Sequence, residues 1–61
     1  MSHFHIAFSA DNACFEDAPA EEIGRILRDL ADKVEAGRDG GRVIDRNGNT
    51  VGTWDWHQEE Q

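Results

Sequence analysis

Three histidines, one cysteine and thirteen carboxylates are the side chains of this 61-residue sequence that could do chemistry. His3 and His5 share one face of an extended strand, and His57 could join them around a divalent metal ion. Two histidines with an unplaced third do not make a ligand set, and surface positions that improve solubility account for them equally well. We therefore expect no metal site and no cofactor.

Catalysis by a nucleophile or by a carboxylate pair finds little support in the sequence. Cys14 beside a histidine could act as a nucleophile, but no other residues complete a recognisable catalytic set. General acid–base catalysis needs a cleft that raises the pKa of one carboxyl group, and so short a chain has little room for one. The sequence predicts a non-enzymatic protein with no catalytic residue. A metal-binding or catalytic protein that uses His3, His5 and His57 stays open as a third hypothesis.

The carboxylates are distributed unevenly along the chain. Residues 1–24 contain five acids and no Lys or Arg, residues 25–46 contain all six bases with five acids, and residues 47–61 contain acids only. The net charge of −7 excludes ordinary nucleic-acid binding, which needs Lys and Arg at the phosphates, and disfavours anionic membranes. The start of a helix explains the last three acids of the first run by capping and by the helix dipole. It does not explain Asp11 or Glu16, which an acidic surface directed at a basic partner explains more simply.

Two tryptophans lie next to the acids of the C-terminal segment. Trp54 and Trp56 point to the same side if the strand continues, and we expect Trp54 in the core and Trp56 exposed near the end of the chain. Tryptophan beside acids is typical of a protein-binding hot spot. We predict a contact surface for a basic protein, which is a single patch if the two acidic ends of the chain meet in space. The predicted contact residues are Asp11, Glu16, Asp17, Glu21, Glu22, Asp55 and Trp56.

The first element that positions these residues is a strand. "HFHIAFS", residues 3–9, alternates apolar and polar side chains and predicts a half-buried strand with Phe4, Ile6 and Phe8 in the core. The connection that follows has no period, and we expect Phe15 to fold back from it onto the core.

The second element is a helix. "PAEEIGRILRDLADKVEAG", residues 19–37, has a proline suited to a first turn, and its apolar residues recur at steps of three and four. Asp17 or Ala18 would be the N-cap, and Asp17 is the better capping residue. Gly37 would end the helix. Gly24 costs stability inside it, which a close approach of the sheet would explain. The predicted apolar stripe is Ile23, Ile26, Leu27, Leu30 and Val34.

The third element is a β-hairpin around Asn47-Gly48, the strongest short turn signal available. Its register stays open. A two-residue turn pairs Ile44 with Val51, whereas a three-residue loop with a bulge pairs Val43 with Val51, and one slip moves every side chain to the other face. The glycines before the hairpin are interpreted as a helix stop and a flexible link.

Together the elements predict a small α+β domain. Its order is β-α-β-β, with the hairpin strands at residues 42–46 and 49–56, and its sheet is three-stranded and antiparallel with the helix packed on one face. We favour pairing of the first strand with the last. The domain would comprise residues 1–56, followed by a frayed acidic tail of residues 57–61.

Three features of the sequence favour the cytoplasm. A single Cys14 forms no internal disulfide, which indicates a reducing compartment. No apolar run approaches the ~20 residues that span a bilayer. The N-terminal "MSHFHIAFSA" lacks the basic and apolar regions of a signal peptide.

Two stretches, "IAFSADNACFEDAPAEEIGRILRDLADKVEAG" and "DGGRVIDRNGNTVGTW", resemble very short acidic proteins encoded by bacteriophages and mobile elements. The resemblance covers nearly the whole chain, including residues 9–13, 15–17, the helix and residues 47–49. Some small acidic phage proteins are anti-CRISPR proteins, which block a CRISPR effector by occupying its DNA-binding surface.

The resemblance implies an inhibitor in the cytoplasm of a bacterial host. Its partner would be a basic CRISPR effector subunit, with no direct contact to nucleic acid or membrane, and it would act as a monomer or weak homodimer. The second hypothesis is a phage regulatory or structural interaction module, including a homodimer joined through the open edge of its small sheet.

Overall fold

The computed structural model describes residues 2–58 as one helix packed on a three-stranded sheet. The elements are, in chain order, β1 (His3–Phe8), a short 3₁₀ helix (Ala13–Phe15), α1 (Pro19–Glu35), β2 (Gly40–Ile44) and β3 (Thr50–His57). The strand order is β1-β3-β2 and both pairs are antiparallel. The predicted α+β fold and the pairing of the first strand with the last are confirmed. Within the described residues, no helix is long and apolar enough to cross a membrane.

The core lies between α1 and the sheet. Its buried apolar residues are Cys14, Phe15, Ile26, Leu30, Val43 and Trp54. Phe15 and Trp54 are 4% and 3% exposed, which confirms both predictions. Leu27 was predicted in the apolar stripe but is 46% exposed. It follows Ile26 directly, so the helical rotation between neighbours turns it away from the core.

The apolar face of β1 is less buried than predicted. Ile6 and Phe8 are half-buried against the core. Phe4 is 45% exposed, although its ring stacks on Trp54 with centroids 5.9 Å apart. Because β1 is an edge strand and other elements fill the centre of the core, its first residues lie at the margin of the packed region.

The two ends of α1 are formed differently. Of the two predicted N-cap residues, the structure has Ala18, which makes no side-chain cap bond, so the preference for Asp17 is wrong. At the other end Gly37 has a φ of +96°, which suits glycine. The N–H of Gly37 donates to the carbonyl of Val34 at 3.0 Å. The N–H of Arg38 donates to the carbonyl of Lys33, five residues earlier, at 3.1 Å. This pair of bonds is a Schellman motif, and it ends the helix as predicted.

A close approach of the sheet requires glycine on β3 rather than in the helix. At Gly24 the nearest atoms to an added Cβ belong to the guanidinium of Arg28 on the same helix, at 3.3 Å, so the predicted approach of the sheet there is wrong. At Gly52 an added Cβ would overlap the carbonyl oxygen of Ala7 and lie 2.5 Å from the Cα of Phe8. The pairing of β1 with β3 therefore depends on a missing side chain at Gly52.

The hairpin contains parts of both registers that the sequence leaves open. Val43 lies opposite Gly52, which is the register of the two-residue turn, and Ile44 lies opposite Thr50, which is the register of the three-residue loop. The two are joined by an irregularity that leaves Val51 as the extra residue on β3. A bulge at Val51 thus reconciles the alternatives.

The strands of the hairpin are shifted from their predicted bounds: β2 begins and ends two residues early, at Gly40 and Ile44, and β3 begins and ends one residue late, at Thr50 and His57. Gly40 and Gly41, interpreted as a link, belong to β2 and pair with β3. β3 continues to His57, one residue into the predicted tail. Residues 59–61 of that tail lie outside the described residues.

Candidate functional site

Asp45 organises the hairpin turn from a buried position, where it is 3% exposed. Its Oδ1 accepts hydrogen bonds from the backbone N–H groups of Asn47 and Asn49, each at 2.9 Å. Its Oδ2 accepts one from the side-chain amide of Asn12 at 2.6 Å. Burial opposes ionisation of this carboxyl group, but the hydrogen bonds from Asn49, Asn12 and Asn47 outweigh it and lower the pKa of Asp45 below its usual value.

Glu22 is fully buried and holds the start of α1 against the same hairpin. Its carboxylate accepts bonds from Arg25 Nε at 2.7 Å and from the backbone N–H of Arg46 at 2.8 Å. Arg25 also donates to the carbonyl of Ile44 at 3.1 Å. The hydrogen bond from Arg25 lowers the pKa of Glu22, and with help from Arg46 it outweighs the opposing effect of burial. Glu22 was predicted as a contact residue for a partner protein. That prediction is wrong, because its carboxylate is fully buried and hydrogen-bonded within the protein, where a partner cannot reach it.

Four predicted contact residues are exposed carboxylates around the start of α1. They are Asp11, Glu16, Asp17 and Glu21. Asp11 follows β1 and accepts a hydrogen bond from the hydroxyl of Ser9 at 3.1 Å. Glu16 ends the 3₁₀ helix, where its N–H donates to the carbonyl of Ala13 at 3.2 Å. We call these four residues the acidic surface.

Two members of the acidic surface share a hollow with the hairpin turn. Asp17 and Glu21 line a surface depression of about 300 Å³ together with Arg46 and Asn47. The Arg46 side chain is 55% exposed, and its Nε lies 3.7 Å from the buried carboxylate of Glu22. The hairpin turn is therefore part of the same surface. The charge pattern of the sequence did not predict that the turn would lie there.

The local charge is negative even when the bases are included. Six carboxylates lie in this part of the fold, four of them exposed and two buried, against the guanidinium groups of Arg25 and Arg46. The buried pair, Glu22 and Asp45, fixes the backbone on which the exposed carboxylates stand. The exposed charges are thus presented by a firmly bonded part of the molecule.

Asp55 and Trp56 lie at the other end of the sheet. Asp55 is opposite His5 and Trp56 is opposite Phe4, near the start of β1, whereas Asp11 follows the end of that strand. Asp55 and Trp56 are also consecutive residues of β3, so their side chains point to opposite faces of the sheet. The first and last strands pair as expected, but Asp55 does not join the acids of the first segment in one surface. Glu59 and Glu60, the other acids of the last segment, lie outside the described residues. Trp56 is half-buried against the core and so less exposed than predicted.

The histidines gather on the open face of the sheet. His3 lies opposite His57 with ring centroids 5.4 Å apart, and Nε2 of His57 is 3.1 Å from a carboxylate oxygen of Asp55. His5 Nδ1 is 4.0 Å from the other oxygen. Among residues 2–58, no group of three or more ligating side chains is placed to hold a metal ion.

The organising roles of two residues, Asp45 and Glu22, were not predicted from the sequence. Asp45 stands at the first position of a turn that includes Asn47-Gly48, where aspartate is favoured, so the turn itself was a signal. Glu22 precedes the buried Ile26 by one helical step of four, so its place on the apolar stripe was a second signal.

Comparison with protein families, with curated proteins and with solved structures finds no match for this chain. The resemblance to short phage proteins therefore stays a prediction.

Proposed function

We propose that this protein is a non-enzymatic inhibitor that occupies the nucleic-acid-binding surface of a basic host protein, in the manner of an anti-CRISPR protein acting on an effector subunit. One observation carries the proposal. Four exposed carboxylates surround the start of α1, and two buried carboxylates, Glu22 and Asp45, tie that region to the hairpin turn.

The mechanism is competition between carboxylates and phosphates for the same Arg and Lys side chains. A net charge of −7 attracts a basic surface over a distance and speeds encounter, and this attraction weakens as salt screens it. Charges held in place lose little freedom on binding, so more of their attraction appears as affinity. The bonds of Glu22 and Asp45 supply this order for Asp17 and Glu21, which line the hollow beside the turn.

The direct test is inhibition in a bacterium with an active type I CRISPR system. Expression of the protein should restore plaque formation by a phage that the system targets, and the purified protein should compete with DNA for the effector. Absence of restored plaques across several CRISPR subtypes would end the anti-CRISPR proposal.

A second function is favoured by the sheet itself. The order β1-β3-β2 places β3 in the middle, so β1 and β2 each have one unpaired edge, and within residues 2–58 no further strand covers either. Unpaired edges add strands from other chains. A regulatory or structural module that dimerises through β1 would show a mass that rises with concentration in sedimentation equilibrium. A constant monomer mass would exclude this dimer.

A further inference from the structure

A second hollow lies where α1 ends, away from the acidic surface. Its volume is about 430 Å³, within the size range of small-ligand sites, and it is open to solvent. The residues that line it are Val34, Gly37, Asp39, Trp56, His57 and Gln58. The hollow is separate from the acidic surface, and two of its lining residues, Val34 and Trp56, also pack against the core.

Trp56 and Asp39 are neighbours in the lining of the hollow, because the backbone fixes their relative position. The N–H of Trp56 donates to the carbonyl of Asp39 at 2.9 Å, which continues the β2–β3 register by one residue. Residues that lie opposite one another in an antiparallel pair project to the same face, with Cβ atoms about 5 Å apart. An indole and a carboxylate therefore stand side by side.

The electrostatics of the hollow favour a cation. The carboxylate of Asp39 is exposed, and the C-terminal end of α1 carries the negative end of the helix dipole. Among residues 2–58, no lysine or arginine lines the hollow. The guanidinium of Arg38 is directed instead toward Gly41, where its Nη2 would lie 3.4 Å from an added Cβ.

We propose that this hollow receives an arginine side chain of a basic protein partner, with the guanidinium stacked on Trp56 and paired with Asp39. Arginine suits the site better than lysine because its planar group stacks on an indole and bonds a carboxylate through two N–H groups at once. The site lies at the opposite end of α1 from the acidic surface and does not rest on the proposed inhibitor function.

The test uses the whole protein and two short peptides, acetyl-Gly-Arg-Gly-amide and its citrulline counterpart. Citrulline has nearly the same shape as arginine but carries no charge. The two tryptophans give two indole N–H signals in an NMR spectrum, and buried Trp54 serves as the internal reference.

The arginine peptide should shift the Trp56 indole signal in a saturable way, and the citrulline peptide should not. Asp39→Asn should weaken binding by about threefold to thirtyfold, the range of an exposed to partly desolvated cation contact. Asp32→Asn removes the same charge from the exposed surface of α1 without touching the hollow, and it should have no such effect. Trp56→Leu keeps an apolar side chain for packing but removes the ring and with it the indole signal. Binding to this variant is therefore followed by the backbone N–H signal of Asp39, and it should be weakened similarly.

Three outcomes would overturn the proposal. They are equal shifts from both peptides, equal losses in the two aspartate variants, and a Trp56 signal that does not move. Because the peptides test the hollow alone, a negative result here leaves the inhibition assay unaffected, and failure of inhibition leaves this test intact.

Discussion

The side-chain amide of Asn12 donates a hydrogen bond to the carboxylate of Asp45 at 2.6 Å, and this bond joins two parts of the chain that are 33 residues apart. Asn12 also caps the 3₁₀ helix, because its side-chain oxygen accepts the N–H of Cys14 at 3.1 Å. One short side chain thus connects the loop before α1 to the hairpin turn. The acidic surface stands on this connection.

Asn12→Ala should destabilise the protein more than its half-exposed position indicates. The change removes the cap of the 3₁₀ helix and leaves a buried carboxylate with one donor fewer, which together should lower the melting temperature by roughly 5 to 10 °C. Thermal unfolding followed by circular dichroism measures the change. Asn47→Ala is the matched control, since only its backbone N–H bonds Asp45 and alanine keeps that group. Equal losses in the two variants would show that the Asn12 side chain has no special part in stability.

Stability should fall as the pH falls below about 5. Glu22 and Asp45 both have pKa values lowered in the folded protein, the first by its hydrogen bond from Arg25 and the second by hydrogen bonds that outweigh burial. A lowered folded pKa gives stability that is present above the unfolded value of about 4 and is lost as the pH drops through the folded value. Urea midpoints measured from neutral pH to about pH 3 should therefore decline. A flat profile over that range would contradict the assigned role of these two carboxylates.

Two glycines should respond to alanine in opposite directions. Gly24→Ala meets only the flexible end of Arg28, so the gain in helix propensity should stabilise the protein by about 1 kcal/mol. Gly52→Ala places a methyl group on the backbone of β1 and should prevent the pairing of β1 with β3. Urea unfolding monitored by tryptophan fluorescence distinguishes the two. Destabilisation by the first change, or a native spectrum with the second, would show that the strand and helix contacts are not as described.

Periodicity predicted the elements of this fold but not its buried charges. Alternation in β1 and the steps of three and four in α1 are local signals, and they identified the strand and the buried Ile26 and Leu30. Glu22 lies on the same stripe, yet its burial depends on Arg46, which is 24 residues away and approaches only in the folded chain. A carboxylate is assigned to solvent unless its partners are known.

The hairpin register was undetermined for a related reason. The turn signal at Asn47-Gly48 fixes a hairpin but not the bulge at Val51, because a bulge depends on how β3 pairs with both neighbours. Likewise, the charge pattern indicated four acids that are exposed but left open whether Asp55 and Trp56 join them in one patch. Only the register of β1 on β3 shows that these two lie at the other end of the sheet.

Charge reversal within the acidic surface should abolish inhibition without unfolding the protein. Glu16→Lys with Asp17→Lys changes two exposed side chains that form neither the N-cap of α1 nor part of the core. Each lysine would repel the Arg and Lys side chains of the target, so the association rate should fall about tenfold or more and plaque formation should be lost. Binding kinetics against the effector, measured at low and at high salt, give the rate and its salt dependence.

The control is Asp32→Lys with Glu35→Lys, which changes the net charge equally on an exposed part of α1 away from the acidic surface. If net charge alone drove association, both double variants would lose binding to the same extent and with the same salt slope. A larger loss at residues 16 and 17 would indicate contact at the acidic surface, because only charges near the bound partner act at short range. Full inhibition by the variant reversed at these two positions would eliminate the acidic surface as the cause, whatever the control shows.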